Sequence, residues 1–156
     1  MSRYSATLHI GGIVTNEDLD DLRVYMWPTE MEEALEGHHD GEPLVIDIRE
    51  ISNKSLNTIL SILKKRGINH KAIIATEDVE DHEQTVGYAN GASFRYATFN
   101  GQALLNTQEI RKMHRRGKLL ETLRGMESAM RSISKFERAE SAREIMSLER
   151  TRSHVN

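Results

Sequence analysis

Cysteine is absent from the chain. That excludes a disulfide framework and every cysteine-ligated zinc or iron–sulfur centre, and it suits a reducing cytoplasm. Aromatic residues make up only 5% of the 156 positions, so any core has to be mostly aliphatic. No apolar run approaches the ~20 residues that a membrane-spanning helix needs. The opening MSRYSATLHIGG lacks the basic-then-apolar order of a secretory signal, so a soluble cytoplasmic protein is expected. Catalytic signatures are missing as well. Gly11-Gly12 is followed neither by Lys-Ser/Thr nor by a dinucleotide-binding spacing, and nothing resembles a nucleophile elbow. No cofactor is expected.

The length suits one domain with a single core. Apolar residues at 38% fall below the globular average and charged residues at 29% lie above it, which fits a modest body with a solvated appendage. The net charge of −3 hides an asymmetry. Residues 1–107 hold 9 Lys/Arg against 17 Asp/Glu, a net −8, whereas residues 108–156 hold 12 against 7, a net +5. An acidic half and a basic half can attract each other within one molecule or between copies, or the basic half can meet another acidic partner.

Periodicity predicts a single small α/β domain. Ala6 to Ile10 alternates like a half-buried strand, with Gly11-Gly12 bending or ending it and Ile13-Val14 continuing. Thr15 caps a helix whose first turn is acidic, and Pro28 ends or redirects it before a second acidic helical turn over 30–36. A loop follows at 37–43. Leu44 to Ile48 is nearly continuous in apolar residues, as in a strand buried on both faces. Ser52 or Asn53 caps the next helix, which carries Leu56, Ile59, Leu60 and Leu63 as one stripe and closes with Lys64-Lys65-Arg66 and Gly67. Ala72 to Ala75 is again a strand, completing a βαβ unit. Asn90-Gly91 and Asn100-Gly101 are hairpin-turn signals, predicting strands near 85–89, 92–99 and 102–105 as an antiparallel meander. The sheet is expected to be mixed. The predicted organisation is a body over 1–106, a long helical C-terminal extension over 107–150 starting at a Thr107 cap and interrupted near Gly117, and a frayed tail over 151–156.

Two features of the extension carry the functional expectation. Leu119, Leu123, Met126, Met130 and Ile133 recur at spacings of 4, 3, 4 and 3, a heptad seam that reads as a partner-binding or self-association face. Back-folding onto the body is the ordinary alternative. Phe136, Ala139, Ile145 and Leu148 add apolar content in weaker phase. Arg111, Lys112, Arg115, Arg116 and Lys118 form a cationic cluster that suits phosphate neutralisation, with the helices around Gly117 permitting a helix-turn-helix. The plainer reading is a solvated face, or one docked on the acidic body.

Other polar clusters are weaker. His38-His39-Asp40 and the acidic loop around Glu77 to Glu83 lack the spacing of a metal site. Asp47 near the end of its strand is the position from which a small metal- or ligand-dependent enzyme would work with the 38–40 loop, although pairing with Arg49 or capping near Ser52 explains it equally. The favoured expectation is a non-enzymatic cytoplasmic interaction module, an adaptor, assembly or regulatory protein that homo-oligomerises or docks a protein partner. Nucleic-acid binding through the cationic cluster is the alternative.

Overall fold

In the computed structural model, residues 3–76, 83–99, 102–129 and 133–139 are described. The chain opens with β1 (Arg3–Ile10), whose even-numbered residues Ala6, Leu8 and Ile10 are buried. After Gly11, β2 (Gly12–Thr15) leads into α1 (Asn16–Arg23). The Thr15 hydroxyl accepts from Asp18 N–H at 3.1 Å and the Asp18 carboxylate accepts from Thr15 N–H at 3.0 Å, a reciprocal cap. Pro28 opens α2 (Pro28–Gly37), where its missing N–H costs no helical bond.

The βαβ unit is present in split form. It comprises β3 (Leu44–Ser52), α3 (Asn53–Lys65) and β4 (His70–Thr76). Both strands pair antiparallel with β1, which lies between them. They therefore run parallel to one another without touching. Ser52 caps α3, its hydroxyl accepting from Ser55 N–H at 3.2 Å. Leu56, Ile59, Leu60 and Leu63 are all buried beneath the helix, as their spacing predicts; each fully buried side chain contributes about 1.5–3 kcal/mol. The meander follows as β5 (Glu83–Ala89), β6 (Ala92–Phe99) and the short β7 (Gln102–Ala103). Asn90 and Gly91 both take positive φ, 53° and 84°, the two-residue turn that matches strand twist. The Asn100-Gly101 turn lies outside the described residues. The six-stranded sheet has the order β3-β1-β4-β5-β6-β7 and pairs antiparallel throughout.

Beyond the sheet come α4 (Thr107–Arg115) and α5 (Leu119–Ala129), joined at Arg116-Gly117-Lys118, where Gly117 has φ 68°. Asn106, not Thr107, is the cap: its side chain accepts from Glu109 N–H and donates to the Glu109 carboxylate, both at 2.8 Å. The expected helix does not continue through Ile133. Residues 133–135 are irregular and β8 (Phe136–Ala139) is a strand pairing parallel with β2, Gly12 opposite Phe136 through Thr15 opposite Ala139. The parallel pairing among the described residues thus lies in a separate two-stranded sheet, and the main sheet is antiparallel where a mixed one is expected, because β1 enters between β3 and β4.

The chain thus returns to its body after the two helices. Phe136 is buried in the main core, its N–H donates to the Glu42 carbonyl at 2.9 Å, and its ring meets His38 edge-on at 5.1 Å. The Arg138 guanidinium donates to Asn16. Gly11 permits the closure. A Cβ there would sit 2.3 Å from the Ser134 carbonyl oxygen and 2.5 Å from Ile133 Cγ2, far inside van der Waals contact.

A second departure concerns β3. Its burial alternates, with Leu44, Ile46 and Ile48 inside but Val45, Asp47 and Arg49 exposed. It is an edge strand covered on one face only, so the apolar run signals partial burial here. Its Arg49 N–H is bound by the buried Glu30 carboxylate at 2.8 Å, while the other oxygen of Glu30 accepts from Trp27 N–H at 3.0 Å.

Candidate functional site

The α4–α5 hairpin differs from every other helical piece of the fold. None of the α4 residues is buried. In α5, Met126 is buried, Leu119 and Leu123 are half-buried, and Leu120 is 67% exposed. Ile110 on α4 is also exposed, as are Phe99 and Leu104 on the chain leading to it. The hairpin's two helices approach each other across the turn.

The heptad seam is therefore divided. Met126 and Ile133 are buried within the chain and cannot also line a partner's surface, and Ile133 lies past the end of α5 in the segment that closes over Gly11. Met130, Ile145, Leu148 and the tail lie outside the described residues. A seam of one helix facing one partner is thus replaced by a short hairpin with its own exposed apolar residues, Ile110 and Leu120. Spacing on α4 places Ile110 on an inward face, where the structure instead leaves it exposed, and it passes over Leu120, which sits off the heptad positions.

The cationic cluster is brought together as predicted. Arg111, Lys112 and Arg115 lie on α4, Arg116 caps it and Lys118 completes the turn. All five are exposed. No ion pair among the described residues involves them. Of the two plainer readings of the charge run, docking on the acidic body of the same chain is not what the described contacts show, whereas a solvated face agrees with them.

The acidic surface lies elsewhere, on α1 and α2. Glu17, Asp20, Glu32, Glu33 and Glu36 are exposed there. Asp18 and Asp21 are held by Arg66, at 2.7 and 2.6 Å. The hydrogen bonds to Asp21 and then Asp18 push the Arg66 pKa up. Asp20 pairs with Arg23 at 3.2 Å. The α2 carboxylates Glu32, Glu33 and Glu36 have no ion pair among the described residues. At the elbow between the two helices the chain's only tryptophan, Trp27, is 64% exposed, and nearby Val24 is 77% exposed.

Asp47 occupies a different setting from the one expected. Its strand pairs antiparallel with β1, so the crevice that forms at the carboxyl ends of adjacent parallel strands does not exist at this point. Asp47 instead lines a shallow hollow of about 260 Å³ on the uncovered sheet face, beside Thr7, Arg49, Ile73 and Glu83. The 38–40 loop is not part of that hollow. His38 packs on Phe136 and its Nε2 lies 2.8 Å from the Glu42 carbonyl, a structural placement. Among the described residues no group of three His, Asp or Glu side chains is placed to hold a metal ion. The loop over 77–82 lies outside the described residues.

Two histidines on the sheet are held below their ordinary pKa. Burial is the main cause for His70, partly opposed by its Nδ1–H donating to the Ile68 carbonyl at 2.8 Å. Burial, then the neighbouring Lys71 charge, lowers His9, with Asp47 pulling the other way. Burial also lowers Lys71. No helix among the described residues is long and apolar enough to cross a membrane. Comparison of the sequence with known protein families and with curated proteins, and of the fold with solved structures, gives no match.

Proposed function

We propose that the protein is a non-enzymatic cytoplasmic interaction module that associates with further copies of itself, the basic α4–α5 hairpin of one copy docking on the acidic α1–α2 face of the next. One observation carries this reading: α4 buries none of its residues, and its cations are unpaired among the described residues. An amphipathic helix of nine residues gains too little from its own backbone to be built for solvent alone. The complementary charge and the exposed Trp27 and Val24 on the opposite surface supply the occupant.

Such a contact joins two different surfaces, so it propagates head to tail and either closes into a ring or extends. Its size limits its strength. Helices of 9 and 11 residues span roughly 14 and 17 Å at about 1.5 Å per residue. A hairpin of that length covers less than the ~1,600 Å² of a standard stable interface. The association is accordingly transient and salt-sensitive, as befits an adaptor or assembly factor.

Sedimentation velocity over a range of concentrations tests this. The expected result is a mass that rises with concentration at low ionic strength and returns to the monomer near ~1 M salt, where the screening length is only about 3 Å. A monomer under every condition would contradict self-association. If that monomer is instead retained on DNA, and Arg115→Ala with Arg116→Ala abolishes the retention, the cluster serves nucleic acid.

A further inference from the structure

A groove of about 440 Å³ runs between α3 and the β5–β6 hairpin, on the side of the molecule built by neither the hairpin nor the acidic face. Its volume lies in the range of small-molecule sites. Leu60 and Val86 give it an apolar lining, and Tyr88 stacks on His70 there, ring centroids 6.3 Å apart and planes 21° from parallel. Among the described residues, the charged ones that line it are Lys64 from α3 and Arg95 from β6, with no carboxylate. That runs against the composition, because residues 1–107 hold 17 Asp/Glu to 9 Lys/Arg.

Lys64 and Arg95 have no ion pair among the described residues. The Arg95 guanidinium is steadied by one Nη1–H donating to Gln84 Oε1 at 2.9 Å, which leaves its other donors unspent. His70 brings no third charge near neutral pH, since burial favours its neutral form. The ring's Nδ1–H is committed to the Ile68 carbonyl, so Nε2 carries the lone pair.

We propose that this groove binds a small organic anion, its phosphate or carboxylate shared by Lys64 and Arg95 and its flat apolar body lying along Leu60, Val86 and Tyr88. A guanidinium supplies paired donors to a planar or tetrahedral oxyanion, and an ammonium adds a point charge. The apolar lining selects an organic ion over an inorganic one. This site is independent of the docking contact, so either can fail without the other.

The test is a titration of the full chain followed by ¹H–¹⁵N shifts, using phenyl phosphate, inorganic phosphate and benzyl alcohol as probes. Phenyl phosphate is expected to give saturable shifts at Tyr88, Ser93, Arg95 and Ser61, tighter than either of the others. Lys64→Gln with Arg95→Gln, both exposed and expected to leave the spectrum elsewhere unchanged, should weaken it by about tenfold or more. Lys112→Gln with Arg116→Gln on the hairpin should not. Shifts that follow the hairpin cations instead, equal response to inorganic phosphate, or indifference to the groove variant would each overturn the proposal.

Discussion

The split βαβ core and the α4–α5 hairpin are both helical in part, yet they use their apolar residues oppositely. In α3 the four-residue stripe is wholly buried, with no large apolar side chain wasted on solvent. In α4 nothing is buried, and across the turn Leu120 stands 67% exposed. Helices in water are stabilised chiefly by what they bury. The proposed docking contact would cover what the hairpin leaves open. The contrast also separates stability from interaction: changes in the first region should unfold the protein, and changes in the second should leave it folded but alone.

That separation can be broken by measurement. The largest effect should come from Phe136→Ala, which removes a buried ring that ties the returning strand to the core and should cost about 3–5 kcal/mol in urea unfolding. A loss below about 1 kcal/mol would show that β8 is not part of the cooperative body. Gly11→Ala should follow, at about 1–3 kcal/mol, because the new methyl group collides with the backbone at Ser134 and the Ile133 side chain. Glu30→Ala frees two backbone N–H groups, of Trp27 and Arg49, and should cost a similar ~1–3 kcal/mol by the same assay.

The pH dependence is smaller and has a definite sign. His70 and His9 both have folded pKa values below the ordinary value, about 6.5 for an imidazole. Below that value the unfolded chain takes up protons that the folded chain refuses. Their neutral burial is therefore fully tolerated above about pH 6.5, and stability falls as the pH drops toward the folded pKa. His70→Gln should flatten this slope in urea melts at pH 7 and pH 5. Smallest of all on stability is Leu120→Ser, expected within about 0.5 kcal/mol of the parent, though it should reduce the concentration dependence of the sedimenting mass.

Local patterns carried much of the fold. The stripe Leu56, Ile59, Leu60 and Leu63 and the turn at Asn90-Gly91 depend on neighbours a few residues away, and both are where the sequence predicts. Strand order was not legible, since nothing in β3, α3 or β4 announces that β1 will lie between them. The same holds for β8. Phe136-Glu137-Arg138-Ala139 has good helix-forming residues, and only pairing with β2 makes it a strand. The Gly11-Gly12 pair was visible, but the need for Gly11 comes from Ile133 and Ser134, more than a hundred residues later.

The candidate site was half legible. The cluster Arg111, Lys112, Arg115, Arg116 and Lys118 falls where the sequence places it, whereas the seam Leu119 to Ile133 is split by burial of Met126 and Ile133. Periodicity records which residues share a helix face but not whether the chain itself covers that face. The exposure of Val24 and Trp27 had one signal available, the apolar run Val24-Tyr25-Met26-Trp27 before Pro28, set between Asp20-Asp21 and Glu30. The groove cations Lys64 and Arg95 meet only through the fold. The return of β8 also shows that cutting the chain after the body would remove part of its core, so point substitutions are the cleaner probes of docking.

The most direct measurement is sedimentation velocity on two charge-reversed proteins, Arg115→Glu with Arg116→Glu and Glu32→Lys with Glu33→Lys, each alone and then mixed. Each alone should associate more weakly than the parent, because two of the charges in the contact now repel what they faced, and the mixture should regain the parent's concentration-dependent mass while the Trp27 emission moves to shorter wavelength. Two variants that associate as the parent does, or a mixture that stays monomeric, would contradict docking of the hairpin on the α1–α2 face.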